Sequence, residues 1–197
     1  MKRNMIAVVC LSLVASGAIG QELPKGWFKA GNKPNDYTMT IDRETRHSGK
    51  ASASLKNTAS GTTSGFGTLM QTFSADVFRG KRVRFSGYVR SQGVADWAGL
   101  WMRVDGPRGV PLAFDNMQKR AIKANAEWAR YEIVLDVPES AQEIAFGLLL
   151  SGKGQVWMDD LNFEVVGNDL PTTGESMTGE NTAKASNRTY ANLDFEE

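Results

Sequence analysis

The sequence predicts an all-β sandwich, on three observations. Apolar and polar residues alternate with period two from Gly26 to Val166, the spacing that buries one face of a strand. Turn chemistry punctuates these runs at short intervals: Ser48-Gly49, Ser60-Gly61, Asp105-Gly106-Pro107 and Ser151-Gly152-Lys153-Gly154 supply Gly for positive φ and Pro for fixed φ. No long stretch carries apolar residues at i, i+3, i+4 and i+7, so helices are not expected beyond a single turn near Ala75–Arg79.

The elements follow in order. Tyr37, Met39 and Ile41 alternate with Thr38 and Thr40. Ala51–Lys56 and Thr68–Phe73 are shorter candidates. Val83, Phe85 and Val89 alternate with Arg82, Arg84, Ser86, Tyr88 and Arg90, and a further strand covers Trp97–Asp105. Val110–Phe114 is short, whereas Tyr131, Ile133, Leu135 and Val137 form a clear apolar face. Ile144, Phe146, Leu148 and Leu150 share another, and Val156–Val166 is long enough to carry a bend. About eight to ten strands of this kind, with no disulfide, read as a sandwich.

Composition narrows the function. The 197 residues suit one domain, and a net charge of +1 argues against a nucleic-acid binder that works by neutralising phosphates or a polybasic membrane patch. One His and one Cys cannot build a His/Cys zinc site. The N-terminus reads as a secretory signal over residues 1–20: Lys2 and Arg3, then an apolar run from Ile6 to Ala15, then Ala18-Ile19-Gly20 for cleavage. The run is shorter than a membrane span needs, so no stable membrane insertion is expected. Its loss removes Cys10 and leaves a chain starting near Gln21 with net charge −1. A periplasmic or extracellular location follows. Residues 21–166 form the sandwich domain; 167–189, poor in apolar residues, read as a flexible linker, and apolar residues return in 190–197.

The strongest functional signal is Trp97-Ala98-Gly99-Leu100-Trp101-Met102-Arg103-Val104-Asp105. As a strand it turns Ala98, Leu100, Met102 and Val104 to the core and Trp97, Trp101, Arg103 and Asp105 outward. Indoles stack on sugar rings, and nearby polar groups fix hydroxyls. Tyr88 and Arg90 are placed on the same surface, with Asp115, Asn116 and Gln71 as neighbours. The plainer reading puts Trp97 or Trp101 in the core; Trp27, Trp128 and Trp157 are assigned to the core or its rim, and Met70, Met102 and Met158 to core gap-filling. His47, alone in a turn, reads as structural. No catalytic residue is assigned: Glu132, Asp136, Asp105 and Asp115 form no marked carboxylate pair, and no Gly-x-Ser-x-Gly elbow is present. Asp159-Asp160 supplies oxygens of the kind calcium takes.

Gly26-Trp27-Phe28, His47-Ser48-Gly49-Lys50, the run Gly80–Arg90, Trp128-Ala129-Arg130-Tyr131 and Val156-Trp157-Met158-Asp159-Asp160-Leu161 together resemble the galactose-binding-like jelly rolls, especially carbohydrate-binding modules, over about residues 26–166. The chain also looks like a group of secreted bacterial proteins loosely catalogued as transcriptional regulators, although no basic recognition helix is present. The resemblance implies a jelly-roll β-sandwich and a non-catalytic binding role toward carbohydrate or a similar polar ligand. It also implies a structural calcium site, which here falls on Asp159 or Asp160 with Glu196. Such modules open with Asn-x-x-Phe-Glu; here that pattern stands at the other end, as Asn192-Leu193-Asp194-Phe195-Glu196. Two readings of the tail stand side by side: it returns and adds this strand to the sandwich, or it is a disordered end or the stub of a second domain. The alternatives are a structural or dimerising module whose Trp97/Trp101 face docks a protein and, less favoured, a glycan-active hydrolase.

Overall fold

The computed structural model describes residues 23–61, 64–177 and 189–197; the signal segment read at 1–20 lies outside them. Ten strands carry the fold: β1 (Phe28–Gly31), β2 (Tyr37–Asp42), β3 (Ser52–Asn57), β4 (Phe66–Ser74), β5 (Lys81–Asp105), β6 (Pro111–Asp115), β7 (Ile122–Val137), β8 (Glu143–Ser151), β9 (Gln155–Val166) and β10 (Glu175–Ser176). The helical turn foreseen at Ala75–Arg79 is the 3-10 turn Asp76–Phe78. All pairings are antiparallel. The front layer runs β1-β4-β8-β5-β6-β10 and the rear layer β2-β3-β9-β5-β7. This is the jelly-roll sandwich that the sequence predicts.

Strand β5 belongs to both layers. Its first half pairs with β7 and β9, and Trp97–Asp105 pairs with β8. The sequence reads these halves as separate strands. The ladder instead continues through register shifts between Val89 and Ala98, around Gly93 at φ +61°, a conformation that favours Gly.

The core lies between the layers. Inward positions alternate as expected: Leu69 and Phe73 on β4, Ile144, Phe146, Leu148 and Leu150 on β8, Ala98, Leu100, Met102 and Val104 on β5, with Val83, Phe85, Ile133 and Leu135 facing them. Phe85 and Phe146 meet at 5.2 Å and Phe146 and Phe163 at 4.9 Å, edge to face, each pair adding about 0.5–1.5 kcal/mol beyond its buried area.

Residues 189–197 lie against this core without forming a strand; Asn192 and Phe195 have positive φ, which breaks an extended run. Phe195 is 1% exposed and its ring is 5.2 Å from Trp27. Backbone contacts fasten the segment: Leu161 N–H donates to Leu193 O, and Trp27 Nε1–H to Asn192 O. Gln71 points inward, not to a ligand face; its Nε2 donates to Ala191 O and its Oε1 accepts Ala191 N–H. The stretch read as a linker also attaches in part. Asn168 O and Leu170 O accept from Arg82, Thr173 N–H donates to Val134 O, and β10 pairs with β6. Residues 178–188 of that stretch lie outside the described ones.

Candidate functional site

The front layer turns an apolar island outward. Trp101, Ala145 and Leu149 form its buried base, and Phe66, Met70, Trp97 and Phe114 pack half-buried around them. Strand parity puts them there: Trp101 sits opposite Gly147, Gly147 opposite Met70, and Arg103 opposite Phe114. Gly147 has to be small, because a Cβ there would stand 2.9 Å from Met70 Cα. Met70 therefore belongs to this face rather than to the core.

Trp101 is 7% exposed, and its Nε1–H donates to Thr68 Oγ1 at 2.7 Å. The ring lies on the outward face, not between the layers, but as the floor of the island. Its indole N–H is spent within the protein, so contact with a ligand falls to the rings around it. Trp97, Phe66 and Phe114 offer those surfaces. Phe66 and Phe114 carry no sequence signal, since each is one aromatic in an alternating run.

At Phe114 the island opens into a cleft of about 360 Å³ lined also by Asp115, Asn116, Lys119, Arg120 and Glu175. Asn116 borders both, because its carbonyl stands 3.1 Å from where a Cβ of Gly99 would be. Asp115 is buried and fully engaged: it accepts Met117 N–H and a two-pronged contact from Arg120. It positions the loop rather than facing a ligand. Arg103, half-buried, is held by Asp105 through Nε and Nη2. Trp97, Trp101, Arg103 and Asn116 thus share the front face.

Tyr88 and Arg90 do not share it. They stand on the first half of β5 and face outward from the rear layer, where the strand pairs with Asp159 and Trp157 of β9. His47 stacks on Tyr88 at 3.6 Å with an interplanar angle of 14°, and Arg90 lies 5.6 Å over the Trp157 ring. The expectation of one surface fails because β5 changes layer between Arg90 and Trp97. Trp157, although buried, also faces this side and donates Nε1–H to Asp42 Oδ2.

The three carboxylates implied for calcium are used otherwise. Asp159, 1% exposed, accepts the N–H groups of His47 and Ser48 at Oδ2 and of Asp160 at Oδ1. Burial raises its pKa, and the N–H groups of Ser48, His47 and Asp160 offset this in part. Asp160 meets His47 Nδ1 at 2.6 Å and Ser48 Oγ at 2.7 Å. Glu196 Oε1 accepts from Lys50 N–H and Ala51 N–H. Calcium takes about six to eight oxygens, whereas Asp159 and Glu196 face backbone N–H donors. No group of three His, Cys, Asp or Glu side chains gathers as a metal site among the described residues. As placed, these residues do not fit the ion; they brace the His47–Ala51 turn.

The carboxylates weighed for hydrolysis are held in ion pairs. Asp136 pairs with Arg82, Glu132 with Arg130, Asp105 with Arg103 and Asp115 with Arg120.

The fold is shared with solved β-sandwich modules, carbohydrate-binding ones among them. The xylan-binding CBM22-1 domain of Paenibacillus barcinonensis Xyn10C superposes with TM-score 0.52 at 18% identity, over 74% of this chain and 89% of that one. The C-terminal family 22 carbohydrate-binding module of Clostridium thermocellum Xyn10B gives 0.51 at 14% identity, over 77% and 90%. The enzymatically active domain of bacteriophage CBA120 tailspike protein 4 gives 0.56 at 13% identity, over 72% of this chain but 20% of that one. At these identities the likeness concerns the fold.

By sequence the chain is similar to YbfP of Bacillus subtilis, described as an uncharacterized HTH-type transcriptional regulator, with 46% identity over 173 residues. The match spans 88% of this chain and 57% of that protein, so the chain corresponds to little more than half of its relative. The described residues contain no α-helix and hence no helix-turn-helix. No family model matches the chain.

Proposed function

We propose that this protein is an exported, non-catalytic module that binds a neutral carbohydrate on its front layer. The observation that carries the reading is the half-buried aromatic island around Trp97, Phe66 and Phe114, opening at Phe114 into a polar cleft. Sugar rings present C–H faces to aromatic rings and hydroxyls to amide and guanidinium groups; the island offers the first contact and Asn116 and Arg103 the second. The binding-module neighbours support the reading through shared architecture. Export rests on the leader-like residues 1–20.

The test is calorimetric titration of xylo-, cello- and galacto-oligosaccharides against the protein and its Trp97→Ala variant. Saturable binding that weakens at least tenfold in the variant, with folding intact, supports the reading. Absence of saturable binding, together with a concentration-dependent dimer that Trp97→Ala dissociates, would make the island a self-association surface instead. No helix among the described residues is long and apolar enough to cross a membrane.

A further inference from the structure

A second cavity, which shares no lining residue with the island or the cleft at Phe114, lies where β3, the β8–β9 turn and the bend of β5 meet. It has a volume of about 330 Å³ and is lined by Lys56, Asn57, Gln92, Lys153 and Gln155, with Ala59 and Gly154. Backbone pairing holds the wall: Lys56 stands opposite Gln155, Gln155 opposite Gln92, and Asn57 N–H donates to Gly154 O.

Charge distinguishes this cavity from the cleft at Phe114. There Lys119 pairs with Glu175 and Arg120 with Asp115, each at 2.7 Å, so the cations are neutralised within the fold. Here both lining charges are ammonium groups, and among the described residues neither Lys56 nor Lys153 has a carboxylate partner. Asp96 accepts from Ser151 Oγ, and neither it nor Asp36 lines the cavity. Two unneutralised cations in one concavity attract an anion.

The remaining lining selects among anions. Gln155 Nε2 donates to Ser54 Oγ, and Asn57 Nδ2 to Asp36 O, so both carboxamides are oriented. An ammonium only donates, whereas a carboxamide both donates and accepts, which is what a sugar hydroxyl needs. The planar guanidinium fork suited to bidentate phosphate recognition is absent from the lining. We propose that this cavity is a second binding site, for the carboxylate of an acidic sugar, with Lys56 and Lys153 facing the charge and Gln92, Asn57 and Gln155 engaging hydroxyls. It is independent of the neutral-glycan site on the front layer.

The experiment titrates the full chain with trigalacturonate, with its methyl ester and with sodium sulfate, followed by backbone amide shifts. Trigalacturonate is expected to shift the amides of Gln92, Lys153 and Gln155 saturably, more weakly as salt is raised. A Lys56→Gln/Lys153→Gln double variant loses at least tenfold in affinity while melting within about 1 °C of the parent, as exposed side chains allow. Trp97→Ala leaves this titration unchanged, which separates its outcome from that of the front layer. The proposal is overturned by the absence of saturable shifts at 10-fold excess over about 1 mM, the weak end of specific binding. Equal binding of the methyl ester, equal displacement by sulfate, or retained affinity in the double variant overturns it as well.

Discussion

Beyond the His47–Tyr88 stack, the two outward faces of the sandwich obey the same alternation and are built from opposite materials. On the rear layer the outward positions of β5, β7 and β9 form a charge ladder: Arg82 with Asp136, Arg84 with Glu164, Arg130 with Glu132. Such exposed pairs contribute about 0–1 kcal/mol each and chiefly keep the face wet. On the front layer the equivalent positions of β4, β5 and β8 carry Phe66, Met70, Trp97, Trp101 and Leu149. Water is the default neighbour of an outward strand position, so the apolar front layer is the departure on which the proposed binding role rests.

The largest change should come from a site that serves both faces. Phe195→Ala removes a ring buried beneath Trp27, and loss of a buried Phe costs about 3–5 kcal/mol. Thermal melting should fall by about 10 °C, taking both layers together; an unchanged transition would show that the tail only rests on the fold.

Next, Trp97→Ala should lower oligosaccharide affinity at least tenfold while shifting melting by about 2 °C or less, whereas Arg84→Gln on the rear should leave affinity untouched. Equal effects of the two changes would erase the contrast between the faces.

A smaller effect concerns pH. Burial raises the Asp42 pKa, but the N–H groups of Thr45, Trp157 and Glu44 together outweigh it and bring the value below that of a free aspartate. The ionised carboxylate therefore stabilises the fold above the ordinary carboxylate pKa, and this contribution disappears as pH falls through the lowered value. Asp42→Asn should reduce stability at pH 7 and flatten its decline as pH falls below the ordinary aspartate range in urea titrations. A parallel pH profile would remove Asp42 from the account. The smallest effect should follow chelation: because Asp159 and Glu196 bind backbone N–H groups, EDTA is expected to leave the melting temperature in place. A fall of several degrees, reversed by calcium, would reinstate the ion.

Much of the fold was legible because alternation is a local property. The inward set Ala98, Leu100, Met102 and Val104 follows from parity alone, as does the outward course of Trp97 and Trp101. What parity does not encode is which layer a strand has reached. Tyr88 and Trp97 are both outward on one strand, yet the register shifts beyond Val89 carry them to opposite sides of the molecule. Nor does it tell a ring that meets solvent from one roofed by neighbours; the burial of Trp101 depends on Thr68 and on Leu149, distant in sequence. Gln71 was misread for the same reason, since its partner Ala191 lies 120 residues away.

The double membership of β5 makes the molecule mechanically indivisible. A fluctuation that peels β8 from its neighbours works on the same backbone that holds β9, so neither half has a private route to opening. Protected amides in both should then exchange through one shared event, as a single foldon rather than two stacked leaflets.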